Sequence, residues 1–345
     1  VTKIKVAVVD DSAFMRKIVT DCINTNNEME VVAKFRNGKD LLEQVDRYNP
    51  DIITLDIEMP VLNGLETLKA LKELGMKYPV IMLSSLTSQN SVHTLECLEL
   101  GAMDFVEKPS GSLLLSSNEF KDTLIQRISE IGKSRKNSNN TVIIPKRIDP
   151  VIKKRTSQIK AIIIGASTGG PRALQAVLTK IDGDIGVPVF VVQHMPKGFT
   201  KAFADRLNGI CKLKTVEAED NMLIEKNTIY IAPGGCHMTV GSGDRIKNNE
   251  EPSIWGVRPA VDKLFESAVK VYGGNLLSVI LTGMGKDGSA GTVLVKDAGG
   301  ITISEDESTC TIYGMPKVAY ETGKVDIVLP LPDIPGKINS IVKGR

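Results

Sequence analysis

Residues 159–172 read IKAIIIGASTGGPR, and the hydrophobic period changes inside this stretch. The run 161–164 is continuously apolar; Gly165, Gly169 and Gly170 then bracket Ser167, and Pro171 opens a segment with helical spacing. A buried strand that turns tightly into a helix is the opening of a βαβ unit, which calls for a parallel sheet covered by helices. In that setting Gly-x-Ser-x-Gly lifts the serine above the sheet, close to the free N–H groups of the following helix. The same residues also suit a plainer role, with Ser167 capping the helix and the glycines allowing close packing.

The pattern recurs on both sides of this stretch. Short β-branched runs at 188–192, 228–231, 277–281 and 300–303, with a weaker one at 326–329, are separated by helix-period segments, as are 5–9, 30–34, 51–55, 79–83 and 104–107 in the first part of the chain. Two α/β domains, each a doubly wound parallel sheet, account for all of them. The length of 345 residues fits two such domains. With 42% apolar and 24% charged residues, the composition excludes a disordered, collagen-like or disulfide-scaffold chain. The net charge of +2 excludes a whole-molecule field toward nucleic acid or an anionic membrane. Cys22, Cys97, Cys211, Cys236 and Cys310 are scattered, without C-x-x-C spacing, which fits a reducing cytoplasm. The chain runs from Val1 into a strand pattern and holds no apolar run of about 18 residues, so neither export nor membrane insertion is expected.

Charge marks the boundary. Residues 133–160 hold nine Lys/Arg and one acid, Asp149, in a Ser-, Asn- and Pro-containing context, which reads as a basic linker over 132–158. No aromatic residues interleave with these charges, as a nucleic-acid groove would require. Domains are therefore expected at 1–131 and 159–345.

Open parallel sheets bind ligands beyond the carboxyl ends of their strands. In the first domain those ends carry Asp10 and Asp11, Asp56, Ser84 and Lys108. Three convergent carboxylates repel one another, a cost that a divalent cation, here Mg²⁺, offsets. Asp56 could then attack a phosphoryl donor while Lys108 balances charge and the Ser84 hydroxyl bonds a phosphoryl oxygen. Helix capping explains one of these residues and not the set.

In the second domain a serine nucleophile needs a base, and the chain offers only His93, His194 and His237. His93 belongs to the first domain. His194, in VVQHMP after a strand, shares the carboxyl-end rim with Ser167; His237, in IAPGGCHM, is the runner-up base or a substrate-pocket residue. Asp287, in LTGMGKDG (281–288), is the candidate carboxylate that orients the imidazole. The same segment spells G-x-G-x-x-G from Gly283 to Gly288 after a strand, with Glu305 about twenty residues on, so a dinucleotide site is an alternative.

VVDDS (8–12), LDIEMP (55–60), NGLE (63–66), MLSSLT (82–87) and EKP (107–109) resemble a response-regulator receiver domain over nearly all of residues 1–131. GASTGGP (165–171), QHMP (193–196), IAPGGCHM (231–238), RPAVD (258–262) and LTGMGKDG (281–288) resemble the catalytic domain of the chemotaxis protein-glutamate methylesterase (CheB) family. The resemblance implies a flavodoxin-like receiver followed by a Rossmann-like methylesterase domain. It implies that Asp56 takes phosphate from a histidine kinase, and that Asp10, Asp11, Asp56 and the Glu58 carbonyl hold Mg²⁺. Lys108 contacts the phosphoryl group, and Ser84 and Phe105 form the switch pair. Asn63 departs from the family, where many receivers carry Asp. In the second domain Ser167, His194 and Asp287 would be the triad and the Met284 amide part of the oxyanion hole, with no metal or cofactor for hydrolysis. The implied activity is hydrolysis of glutamate γ-methyl esters, and deamidation of particular glutamines, on methyl-accepting chemotaxis receptors by a monomeric, phosphorylation-regulated enzyme. The unmodified receiver is expected to cover the catalytic rim, so that removal of 1–131 raises basal activity. A non-catalytic adaptor remains the third class; its receptor binding would survive all three triad substitutions.

Overall fold

The computed structural model describes residues 3–85, 87–109, 118–138, 148 and 158–344. The chain divides into two compact units, Val1–Val142 and Ile143–Arg345.

The first unit alternates strands and helices: β1 (Ile4–Val9), α1 (Ala13–Asn24), β2 (Met29–Phe35), α2 (Gly38–Tyr48), β3 (Ile52–Asp56), α3 (Gly64–Glu73), β4 (Val80–Ser84), α4 (Ser88–Leu100), β5 (Asp104–Glu107) and α5 (Asn118–Ser138). Its five strands form a parallel sheet in the order β2-β1-β3-β4-β5. The helices start where short polar side chains cap them. Ser12 accepts from the Met15 N–H, Asn37 from Asp40, and Asn63 forms a reciprocal capping box with Glu66. Asn63 therefore has a structural task that Asp would perform equally well.

The second unit comprises β6 (Ala161–Ala166), α6 (Gly170–Leu178), β7 (Val189–Gln193), α7 (Phe199–Ile210), β8 (Lys214–Glu217), β9 (Thr228–Ile231), β10 (His237–Gly241), β11 (Arg245–Asn249), α8 (Val261–Tyr272), β12 (Leu276–Ile280), α9 (Ser289–Asp297), β13 (Ile301–Glu305), α10 (Met315–Glu321), β14 (Ile327–Leu329) and α11 (Ile334–Lys343). Seven strands form a parallel sheet in the order β14-β13-β12-β6-β7-β9-β8, and β10 and β11 pair as a separate antiparallel hairpin. The central strands β6, β7 and β12 are buried throughout, as expected of a sheet covered on both faces. Two doubly wound parallel sheets are thus observed.

The sequence patterns account for eleven of the strands. They miss β8, whose KTVE is a four-residue, half-buried edge strand, and the β10–β11 hairpin, whose RIKNN strand is largely polar. Helix α5 runs on to Ser138, into the segment read as linker. Ile148, from the same segment, bridges Val328 on the edge strand β14. The remainder of 139–157 lies outside the described residues. Among the described residues no helix is long and apolar enough to cross a membrane.

Each sheet has a point beside its first strand at which the strand order reverses. In the first unit this occurs between β1 and β3, and in the second between β6 and β12. The crevice at such a reversal is where doubly wound sheets place their ligands; Asp10, Asp11 and Asp56 stand at the ends of β1 and β3, Ser167 and Asp287 follow β6 and β12, and His194 follows the neighbouring β7.

Candidate functional site

In the first unit Asp10 and Asp11 follow β1 and Asp56 ends β3. Carboxylate oxygens of all three lie within 4.8 Å of one another, Asp10 and Asp56 buried and Asp11 exposed. The turn is fixed from behind: Asp10 Oδ1 accepts from the Ser12 amide, and Arg16 Nη1 donates to the carbonyls of Asp10 (2.7 Å) and Asp11 (2.9 Å). Lys108, after β5, places Nζ 2.7 Å from Asp10 Oδ2 and 2.7 Å from Asp56 Oδ1. Burial opposes the Lys108 charge, but the two carboxylates outweigh it and raise its pKa. Burial is also the largest influence on Asp56; together with repulsion from Asp10 it overcomes the attraction of Lys108 and lifts the carboxyl to about 6.

One ammonium against three carboxylates leaves negative charge uncompensated, and the donors are all hard oxygens. This set fits Mg²⁺, which Asp10, Asp11 and Asp56 would hold. Gly64 lies directly beneath, where a Cβ would stand 2.3 Å from the Asp56 carbonyl oxygen, so only glycine lets the β3–α3 loop close. A pocket of about 390 Å³ opens beside Asp11, lined by Glu58, Met59, Asn63 and His93 among others. Ser84 and Phe105 are buried on the neighbouring strands. The Ser84 hydroxyl accepts from Thr94 Oγ1 of α4 at 2.8 Å, so turning it toward a phosphoryl group means giving up that bond.

In the second unit the three triad candidates come from three loops on one rim. Ser167 follows β6, His194 follows β7 and Asp287 lies in the loop after β12. His194 Nε2 is 2.8 Å from Asp287 Oδ2. That carboxylate is fully engaged: Oδ2 also accepts from the Val261 amide (2.6 Å), and Oδ1 from those of Asp262 and Gly288 (2.9 Å each). The first two donors belong to the opening turn of α8, whose dipole favours an anion there. Burial would raise the Asp287 pKa, but the His194 bond and these amides prevail and hold it below the usual value. With Nε2 committed, Nδ1 is the nitrogen left to accept a proton. The Ser167 hydroxyl makes no hydrogen bond among the described residues, and its side chain is almost wholly enclosed. The Met284 amide, three residues before Asp287, likewise has no acceptor among the described residues.

Sequence patterns did not mark the residues that tie these loops together. Thr282 accepts the Ser167 amide on its carbonyl (3.0 Å), its hydroxyl bridges the Thr168 carbonyl and the Ile312 backbone, and its amide donates to Glu305 Oε2 (2.7 Å). Gln193 Nε2 spans the carbonyls of Ser167 (3.0 Å) and His194 (3.2 Å), coupling the loops that carry them. The glutamine in QHMP was the one available signal. Gly283 must be glycine, since a Cβ would meet Met315 Sδ at 2.4 Å and Ser167 Cβ at 2.8 Å.

Glu305 is wholly buried at the end of β13, and burial pushes its carboxyl up to about 7 against the pull of Thr282, Thr309 and Cys310. The folded protein therefore binds a proton that the unfolded chain has lost. This contribution to stability is present below the ordinary glutamate pKa, disappears as pH rises through about 7, and amounts to on the order of 3 kcal/mol. Glu305→Gln is expected to gain that much relative to wild type between pH 4 and pH 8, measured by urea unfolding. Equal pH slopes in the two proteins would refute the assignment.

Two other expectations meet the geometry differently. His237 is buried with both nitrogens committed: Nδ1 accepts from the Ala260 amide (3.1 Å) and Nε2 donates to the Pro252 carbonyl (3.2 Å). Burial keeps its pKa below the ordinary value, and with both nitrogens engaged the ring staples Pro252 to Ala260. The G-x-G-x-x-G segment does precede a helix, α9, but Gly291 of its first turn donates to Asp262 Oδ1 (2.7 Å) and Asp287 lies alongside. A pyrophosphate would meet two carboxylates there. Glu305, the acid expected to reach a ribose, faces inward.

A family model described as CheB methylesterase matches residues 162–338, and one described as response regulator receiver domain matches residues 6–117. A protein-glutamate methylesterase/protein-glutamine glutaminase of Clostridium acetobutylicum is 53% identical over 347 residues, 99% of each chain. Its counterpart in Pyrococcus horikoshii is 42% identical, covering 99% of this chain and 94% of its own. The crystal structure of the Thermotoga maritima CheB methylesterase catalytic domain, 41% identical, superimposes with a TM-score of 0.52, covering 54% of this chain and 100% of that one. The rim that carries Ser167, His194 and Asp287 thus lies within a matched methylesterase region preceded by a matched receiver, and the chain belongs to the CheB methylesterase family.

Proposed function

We propose that the chain is a phosphorylation-regulated protein-glutamate methylesterase and protein-glutamine glutaminase that acts on methyl-accepting chemotaxis receptors in the cytoplasm. The observation that carries this reading is the His194–Asp287 pair at 2.8 Å, held by α8 on the rim that bears Ser167. His194 Nδ1 takes the Ser167 proton as Oγ attacks the γ-carbonyl, and Asp287 stabilises the resulting imidazolium. The Met284 amide donates to the oxyanion. His194 then gives its proton to the departing methanol, or to ammonia from a glutamine, and a water deprotonated by the same nitrogen releases the glutamate. In the receiver, Asp56 accepts phosphate from the chemotaxis histidine kinase; Mg²⁺ held by Asp10, Asp11 and Asp56 would neutralise phosphoryl charge, and Lys108 supports the transferred group. The Glu58 carbonyl is a further candidate metal ligand, and Ser84 with Phe105 the candidate relay.

The test is methanol release from methylated receptor membranes, with and without a small acyl phosphate and Mg²⁺. Release that rises with the phosphodonor supports both halves of the reading. No release under either condition, with ammonia also absent from glutamine-bearing receptors, would reject it.

A further inference from the structure

The segment between β11 and α8 ends in an unusual turn. Ile254 and Val257 exchange two backbone hydrogen bonds (3.1 and 3.0 Å), and the intervening Trp255 and Gly256 have φ of +54° and +79°. Positive φ at both central residues is the type I′ pattern, normally served by Asn, Asp or Gly. An L-residue as bulky as tryptophan is strained there, and this one is the only tryptophan in the chain and is 56% exposed. The base of the loop is firmly held. His237 staples Pro252 to Ala260, and Arg258 Nη1 donates to the carbonyls of Glu250 (2.8 Å) and Glu251 (3.1 Å). A rigid stem thus presents a strained aromatic tip to solvent.

The tip is anchored to the immediate neighbours of the triad carboxylate. Lys286 Nζ stands 3.6 Å from the indole centroid, and indole Nε1 donates to Asp262 Oδ2 at 3.4 Å. Lys286 precedes Asp287 in the chain, and the Asp262 amide is bound to Asp287 Oδ1. A γ-glutamyl methyl ester is a small group, the same on every glutamyl side chain, so its own contacts cannot choose among residues of a folded substrate. Selectivity has to come from the flanking polypeptide.

Resting on the activity proposed above, we infer that Trp255 and Lys286 form the shelf on which the ester-bearing polypeptide packs. The indole takes an apolar side chain beside the modified residue, and the Lys286 ammonium a nearby carboxylate.

The single tryptophan supplies its own readout. Full-length Ser167→Ala protein is titrated with a tryptophan-free soluble receptor fragment carrying γ-glutamyl methyl esters; a saturable blue shift of Trp255 emission is expected. In the catalytically intact background, Trp255→Ala is expected to raise KM for the fragment about tenfold with kcat within about twofold. The ratio of kcat/KM for the fragment over that for N-acetylglutamate γ-methyl ester falls to the same extent, and Trp255→Phe restores most of it. Unchanged emission at fragment concentrations that saturate hydrolysis would overturn the inference, as would an unchanged KM. So would an emission shift produced by phosphodonor and Mg²⁺ alone and insensitive to the fragment, because the ring would then face the receiver unit. Failure of the wild type to hydrolyse either ester would instead count against the activity, a result separate from any of these.

Discussion

Ser167→Ala is expected to reduce methanol release from methylated receptors by at least about a thousandfold, with the protein otherwise folded as wild type. The reason is local. The Ser167 hydroxyl makes no hydrogen bond among the described residues, so removing one oxygen leaves no donor or acceptor stranded and opens almost no cavity. The loop geometry is carried by backbone contacts, Ser167 N–H to Thr282 O and Ser167 O to Gln193, and these survive the substitution. What is lost is the hydroxyl that the proposed mechanism uses as its nucleophile, with His194 as the proposed base. Cys236, the one thiol in the motifs of this unit, precedes His237, whose two nitrogens are both committed. A variant that keeps more than about a tenth of wild-type release, in an assay free of contaminating esterase, would show that Ser167 is not the nucleophile.

The second large effect is expected at Asp56. Asp56→Asn should abolish incorporation of label from a small acyl phosphate and, with it, any stimulation of methanol release by that donor. Basal release then reports whether the catalytic unit itself is intact. A carboxamide has the size of the carboxylate but not its nucleophilicity, and it relieves repulsion with Asp10 while leaving Lys108 its other partner, so the fold should tolerate it. The raised pKa adds a pH signature. Below about 6 the metal-free Asp56 is protonated and a poor nucleophile, so the rate of phosphate uptake rises through that range and levels off above it. Saturating Mg²⁺ favours the carboxylate and should move the rise to lower pH. Stoichiometric labelling of Asp56→Asn would locate the acceptor elsewhere, and a direct pH titration of the metal-free protein showing Asp56 ionised throughout pH 5 to 8 would contradict the buried, charge-crowded setting of this carboxyl.

Much of this was legible before any coordinates, and the reason is topological. In a doubly wound sheet the chemistry gathers at strand ends, so a polar residue directly after a β-branched run is conspicuous. Asp10, Asp56, Ser167 and His194 all stood out for this cause. Asp287 required more, because it lies seven residues beyond the end of β12 and shared its motif with a glycine pattern of different meaning. Residues that tie the loops together were harder to see. Thr282 knits three loops, but any threonine in any loop looks the same in sequence. The Val261 and Asp262 amides that bind Asp287 are not side-chain features at all. Strand β8 escaped notice because a short edge strand buries only alternate residues, and Trp255 because tryptophan is foreign to the turn it occupies.

The seating of Asp287 on the opening turn of α8 has a consequence for how such a domain can decay. In the proposed mechanism Ser167 and His194 serve the reaction alone, whereas Asp287 also satisfies the first amides of a twelve-residue helix. A duplicated copy released from selection for hydrolysis can shed the serine or the imidazole at little structural expense. Shedding the aspartate would leave the Val261 and Asp262 amides of α8 without their acceptor. Drift in such lineages should therefore run in one order, and an inactive descendant should still display its acid, the last remnant of a triad that no longer turns over.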